Sequence, residues 1–414
     1  MGNLTLDANL FLKHLKTITT SEQFLIAYSG GLDSHVLLHL IAKFENISIR
    51  AVHIHHGLQA IADSWVSHCQ ETCDQLHIPL DVIHLNLHPE KGESVEQVAR
   101  IGRYKALENI LQKNEVLLTA QHQDDQTETL LLQLFRGAGV QGLASMPIIC
   151  NFGKGKHARP LLNTSKQEIE IYAKNNELRY IEDPSNQDTS FDRNFLRKDV
   201  LPVLRQRWLG LDKAINRSAE IQAETKQILD EIAHDDLKPL LLKENILSIN
   251  NLSKFSVNRQ RLLLRYWITQ CGFQAPSKKK LSHLFSDVIQ AQKDANPLIE
   301  WQNIQIRRYQ NNLYIMQKLS QHDASQTIIW KPTASIKIDS LNIILKPDIL
   351  YQKKQTVTVR FRQGGEKIFI PNKNKWVSLK TILSEAKIPP WERSRMPLIY
   401  SGDELIQIIG IKTK

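Results

Sequence analysis

Two short stretches of the chain carry residue types that could do chemistry together. The first is Ser29-Gly30-Gly31-Leu32-Asp33-Ser34, set between the apolar runs "FLIAY" and "HVLLHL". Adjacent glycines between a strand and a helix let backbone N–H groups turn toward phosphate oxygens, and Ser29 and Ser34 add hydroxyl donors. A Walker loop would follow its last glycine with Lys-Ser/Thr, whereas this loop has Asp33. A carboxylate repels phosphate, so Asp33 has two readings. It meets a triphosphate through a divalent cation, usually Mg²⁺, or it only complements the following helix N-terminus. The first reading describes a metal-bound pyrophosphate leaving group rather than a γ-phosphate held by lysine.

The second stretch is "TAQHQDDQTETLLLQLFRGAGVQGL". Asp125 and Glu128 are three residues apart and share one face of a helix. With Asp33 they would form a Mg²⁺-binding carboxylate set; alternatively Asp124, Asp125 and Glu128 favour the helix N-terminus electrostatically. In "HIHHGL", His53, His55 and His56 could suggest zinc, but further ligands of defined geometry are missing, and lining of a nucleotide pocket is the better reading. Arg100 and Arg103 of "ARIGRY" lie at helical spacing, either solvated or facing an anionic substrate.

The elements that must position these residues follow from periodicity. Strand-like runs at "FLIAYS", "ISIRAVHIHH", "LDVIHLNL" and "EVLLTA" alternate with helical patterns, one of them opened by a Ser94/Gln97 capping box and another stopped at Gly137. Such alternation predicts an α/β domain with a doubly wound parallel sheet, in which ligands bind beyond the carboxyl ends of the strands. Ser29–Ser34, His53–Leu58 and Gln121–Glu128 all fall at that edge. Downstream, a mainly helical domain and then a small α+β domain are expected. The divisions are 1–210 for the α/β domain, 211–325 for a helical connector with a basic region, and 326–414 for a small basic domain.

A chain of 414 residues is too long for one typical core, which agrees with that division. Net charge is +10, unevenly spread: residues 351–414 hold 13 Lys/Arg against 5 Asp/Glu, and residues 241–310 hold 11 against 4. The rest of the chain is therefore net acidic. Basic surface appended to a separate catalytic core suits nucleic acid, with solubility as the plainer alternative. No apolar stretch reaches the roughly 20 residues of a membrane span, and the N-terminus lacks a signal-peptide pattern, so a cytoplasmic protein is expected. The four cysteines, Cys69, Cys73, Cys150 and Cys271, include no CxxC pair. Cys69 and Cys73 read as buried helical thiols in preference to a metal or redox pair.

SGGLDS resembles the signature loop of the N-type ATP pyrophosphatases. Within them "HHGL", "ARIGRY", "RPLL", "EDPSN…DRNFLR", "RFRQGGEKI" and "KIPPWERSRMPLIY" resemble the tRNA(Ile)-lysidine synthase family over nearly the whole chain. The resemblance implies ATP-dependent adenylation of the C2 carbonyl oxygen of the wobble cytidine in the isoleucine tRNA with a CAU anticodon. The ε-amine of free L-lysine then displaces AMP to give lysidine, and codon reading changes from AUG to AUA. It makes Ser29, Gly30, Gly31, Leu32, Asp33, Ser34 and His56 ATP-binding residues. It makes Asp33, Asp125 and Glu128 the catalytic, Mg²⁺-facing carboxylates, and Arg103 a contact for the activated intermediate. Asp125 and Glu128 both remain open as the base for the lysine amine. Two departures bear on substrate contacts: Gln121-His122 stands where the family often has two histidines, and Gln59 where many members have arginine. The oligomeric state is left open, a homodimer included. A PP-loop tRNA thiolase is the neighbouring alternative, disfavoured by the cysteine placement. A non-catalytic RNA-binding protein would not need the carboxylates.

Overall fold

The computed structural model describes residues 6–55, 57, 62–85, 95–292, 295–341, 343–347, 356–370 and 374–411. The expected contributions of His56 and Gln59, and the Ser94/Gln97 capping box, lie outside the described residues or side chains. The chain divides into two compact units, Met1–Ile228 and Leu229–Lys414.

In the first unit, β1 (Gln23–Ala27) buries Phe24, Leu25 and Ile26 in succession, the pattern of a central parallel strand covered on both faces. Leu25 packs with Val52, Leu107, Leu111 and Leu117 on one face, while Phe24 and Ile26 join the larger core on the other. Seven residues of one helix, α2 (Leu32–Ile41), are buried, Ser34 and His35 among them, and Val36, Leu37, Leu38, Leu40 and Ile41 join that larger core. An N-terminal helix, α1 (Ala8–Ile18), capped by Asp7, adds Phe11 and Leu15 to it. The chain continues through β2 (Ser48–His55), α3 (Ala62–Gln75), β3 (Leu80–His84), α4 (Val95–Ile110), β4 (Val116–Leu118) and α5 (Gln123–Phe135). Gly137, at φ +71°, follows the last helix as expected. Cys69 and Cys73 of α3 are fully buried core residues, and burial pushes both thiols up to about 12.

Among the described residues the sheet of this unit runs β3-β2-β1-β4-β6-β5, with a hairpin of β5 (Ile149–Phe152) and β6 (Gly155–Ala158) at one edge. β5 alone is antiparallel to its neighbour. The chain winds outward from β1 to β3, and α4 carries it back to β4 on the other side of β1. The order therefore reverses between β1 and β4, where adjacent loops diverge and leave a crevice. Both chemistry-bearing stretches leave the sheet at this point.

The second unit holds a five-stranded antiparallel sheet across 241–317, packed on the helix Val257–Gln270, with Trp267 at the centre of its core. A further six-stranded mixed sheet across 328–408 packs with the helix Leu379–Glu385. The exposed Lys278-Lys279-Lys280 run and the exposed Lys367, Lys375, Lys380 and Lys387 belong to this unit. No helix among the described residues is long and apolar enough to cross a membrane.

Gly30 makes the turn out of β1. Its φ is +83°, and a Cβ there would come within 2.6 Å of Ile181 Cδ1 and 3.0 Å of Cys69 Sγ. Its carbonyl also accepts a 2.9 Å hydrogen bond from the Ile181 N–H. Gly31, by contrast, has an ordinary φ of −75° and room for a methyl group. Gly30→Ala is expected to destabilise the first unit by about 1–3 kcal/mol, and Gly31→Ala by clearly less, in thermal melts of the two variants.

Candidate active site

The loop after β1 delivers its donors directly to the N-terminus of α2. Gly31 caps that helix without any side-chain hydrogen bond, so the first-turn N–H groups remain available to an anion. Ser29 and Ser34 lock the loop: their hydroxyls are 3.0 Å apart, the Ser29 N–H donates to Ser34 Oγ at 3.2 Å, and Ser34 Oγ donates to the Gly31 carbonyl at 3.0 Å. Leu32 packs against the main core and anchors the turn. Asp33 does not fold back on its own helix. Its Oδ1 accepts a 2.7 Å hydrogen bond from Lys166 Nζ, and its side chain is one-third exposed.

After β4 the chain enters α5 through a capping box built on His122. Its Nδ1 accepts from the Asp124 N–H at 3.3 Å, while the His122 N–H donates to Asp125 Oδ2 at 3.1 Å. In the neutral ring the proton therefore sits on Nε2. That atom lies 3.4 Å from Asp125 Oδ2 and 3.7 Å from Asp33 Oδ2, so one buried imidazole faces carboxylates from both loops. Burial alone would lower its pKa. The bond to Asp124 and the charges of Asp125 and Asp33 outweigh burial and raise it, with Lys166 opposing.

Cations from residues 166–205 neutralise this acidic cluster. Arg197 forms a bidentate pair with Glu128, Nε to Oε1 at 2.6 Å and Nη2 to Oε2 at 3.0 Å, and also reaches Asp125 Oδ1 at 3.3 Å. Arg193 stands 3.5 Å from Glu128 Oε2. Arg205 bridges Asp124 and Asp212, and the Lys166 N–H donates to Asp124 Oδ1 at 3.2 Å. Burial opposes ionisation of Asp124, but His122 and Arg205 hold its carboxyl well below the usual range. Burial pushes Glu128 upward, and Arg197 only partly offsets it.

The expected carboxylates thus converge, but with different exposures. Asp33 is 34% and Asp125 15% exposed, whereas Glu128 is 0% exposed and has both oxygens on Arg197. Mg²⁺ commonly takes one or two protein carboxylates and completes its shell with phosphate oxygens and water. Asp33 and Asp125 beside the phosphate loop suit that donor set. Glu128 instead orients Arg197. Among the described residues no three His, Cys, Asp or Glu side chains form a ready-made metal cage. Arg103 is half-buried on α4, with its guanidinium 5.7 Å from the Tyr104 ring centre, and Arg100 approaches the same ring at 5.3 Å. His53 is held inside by a 3.0 Å bond from Nδ1 to the Tyr28 carbonyl, as a core histidine would be.

Residue types alone had not singled out His122, Lys166, Arg193, Arg197 or Arg205. A signal existed for two of them: Arg193 and Arg197 are four apart in "DRNFLR", hence on one helical face. Arg197→Met would strand a buried carboxylate, with an expected loss of about 2–3 kcal/mol in urea unfolding, and adding Glu128→Gln should recover much of it.

Comparison with known proteins covers nearly the whole chain. Residues 5–204 match the model of a PP-loop domain, 247–314 the TilS substrate binding domain, and 357–414 the TilS substrate C-terminal domain. A tRNA(Ile)-lysidine synthase of Coxiella burnetii (strain RSA 493 / Nine Mile phase I) is 42% identical over 409 residues, covering 96% of this chain and 91% of that protein. One from Serratia proteamaculans (strain 568) is 39% identical over 422 residues, covering 99% and 95%. Among solved structures, a U34-tRNA thiolase, NcsA from Methanococcus maripaludis, aligns with 52% of this chain and 80% of its own at 19% identity and a TM-score of 0.44.

Proposed function

Because the chain belongs to the tRNA(Ile)-lysidine synthase family, and is thus an ATP-dependent ligase built on a PP-loop domain, we propose that it converts the wobble cytidine of the CAU-anticodon isoleucine tRNA to lysidine. The observation that carries this reading is the meeting of Asp33 and Asp125 over one buried imidazole, beside a helix N-terminus with open N–H groups.

In the first step the cytosine O2 attacks the α-phosphorus of ATP, the bond to the bridging β-phosphate oxygen breaks, and pyrophosphate leaves. The N–H groups of α2, with Ser29 and Ser34, hold the departing phosphates. Asp33 and Asp125 would hold Mg²⁺, which supplies neutralisation of the charge growing on pyrophosphate. Lys166 and Arg197 can exchange a carboxylate for phosphate oxygens as the nucleotide enters, because each already sits at a carboxylate facing the loop.

In the second step the lysine ε-nitrogen attacks C2, the C2–O bond breaks, and AMP leaves. An ammonium with a reference pKa of about 10.4 must first lose a proton. Glu128 is occupied by Arg197, so Asp125 is the better acceptor once pyrophosphate has gone. Arg103 faces the activated intermediate in this reading. The basic 211–325 and 326–414 regions grip tRNA phosphates, and base contacts supply identity. Sulfur transfer gains no support from Cys69 and Cys73, whose buried thiols resist ionisation.

Incubation with ATP, Mg²⁺, labelled lysine and a CAU-anticodon isoleucine tRNA transcript should incorporate lysine, and the methionine tRNA should not. No incorporation into the first ends the proposal, and equal incorporation into both ends the specificity. Asp33→Ala should abolish AMP release while tRNA binding in a filter assay stays within about twofold; collapse of binding would make Asp33 structural.

A further inference from the structure

A second buried chain of hydrogen bonds reaches the same edge of the sheet, from β6. Arg159, just past that strand and 7% exposed, donates from Nη1 to the Pro147 carbonyl at 2.7 Å and from Nη2 to His157 Nδ1 at 3.2 Å. His157, 1% exposed, meets Thr119 Oγ1 through Nε2 at 2.7 Å. Thr119, just past β4, then bonds to Gln121 Oε1. Gln121 precedes His122, so its backbone adjoins the N–H that caps Asp125.

The direction of every link follows from the first. A guanidinium can only donate, so His157 Nδ1 must be bare and the ring's one proton must lie on Nε2. Burial, with Arg159 and Arg100 nearby, lowers the His157 pKa to about 3 and keeps that ring neutral. Nε2–H then donates to Thr119, whose hydroxyl donates in turn to the Gln121 carbonyl oxygen, its one acceptor among the described residues. The relay thereby selects one of the two amide orientations of Gln121. Its Nε2 is left without a protein hydrogen bond among the described residues, on a side chain that is only partly buried.

We propose that Gln121 is a substrate-binding residue, its NH₂ donating to an oxygen acceptor of the co-substrate that occupies the β4–β6 side of the crevice, with Thr119, His157 and Arg159 as positioning residues. The nucleotide takes the β1 side, where the phosphate loop lies. The acceptor is a carboxylate or carbonyl oxygen, supplied by the amino acid or by the RNA. This inference rests on the proposed ligase reading.

The test begins with wild-type lysine incorporation, whose absence would defeat the ligase reading and leave Gln121 aside. With an active wild type, KM and kcat are measured separately for lysine, tRNA and ATP in Gln121→Leu, Gln121→Glu, Thr119→Val and Thr119→Ser. Loss of one such hydrogen bond should raise KM about three- to tenfold for lysine or for tRNA, the substrate affected naming the source of the acceptor, while KM for ATP stays within twofold. Thr119→Ser, which keeps the hydroxyl, should restore the wild-type value, and Thr119→Val with Gln121→Leu should be no worse than Gln121→Leu alone. Unchanged KM for both co-substrates in Gln121→Leu, or a defect in ATP alone, overturns the proposal. Failure of Thr119→Ser to rescue removes the relay from it. Thermal melts identify a variant that has merely lost stability, and Gln121→Leu, at a partly exposed position, then carries the decision.

Discussion

Four carboxylates and one imidazole share the crevice between β1 and β4, and the first unit is arranged around neutralising them. Asp33, Asp124, Asp125 and Glu128 arrive on the opening turns of the two helices that follow β1 and β4, and their mutual repulsion would be costly so close to the interior. The segment from Lys166 to Arg205 answers with four cations, each placed on a particular carboxylate. This pairing explains why the helical stretch after "EDPSN" packs where it does.

In the proposed reading the same pairing sets up exchange: phosphate arriving at a loop with open N–H groups takes over the lysine or arginine, and the released carboxylate turns to metal or proton. Glu128 is excluded from that exchange by its burial and its two-point grip on Arg197. Asp33 and Asp125 remain open to it. On the far side of the crevice, the neutral His157 relay works without any charge change, since Arg159 dictates its direction once and for all.

The binding architecture agrees with this division of labour. The phosphate loop and the acidic cluster lie in the net-acidic first unit, and lysine-rich surface lies in the second, on sheets and helices with cores of their own.

Much of the fold was legible in the residue order. Strand and helix periods from "FLIAYS" to "DDQTETLLLQLF" place the phosphate loop and both carboxylate positions correctly, because hydrophobic alternation and turn residues are local properties. The long helix Leu211–Leu237 and the late strands were legible for the same reason. The hairpin Ile149–Phe152/Gly155–Ala158 and the antiparallel sheet of the second unit were not, since short strands leave weak periodic signals, whereas the helix Ala8–Ile18, with Phe11 and Leu15 four apart on its buried face, carries a clear period that the motif-bearing segments overshadow.

The sequence by itself determined where the glycine loop lies, that Asp33 stands in it in place of a lysine, and that a second acidic stretch follows at helical spacing. Tertiary structure decided what each carboxylate touches. Lys166 lies 133 residues from Asp33, and Arg197 lies 69 from Glu128, so no local pattern could connect them. Partners in an ion pair are chosen by the topology that brings strands β1 and β4 side by side, and only that choice separates the accessible Asp33 and Asp125 from the sealed Glu128.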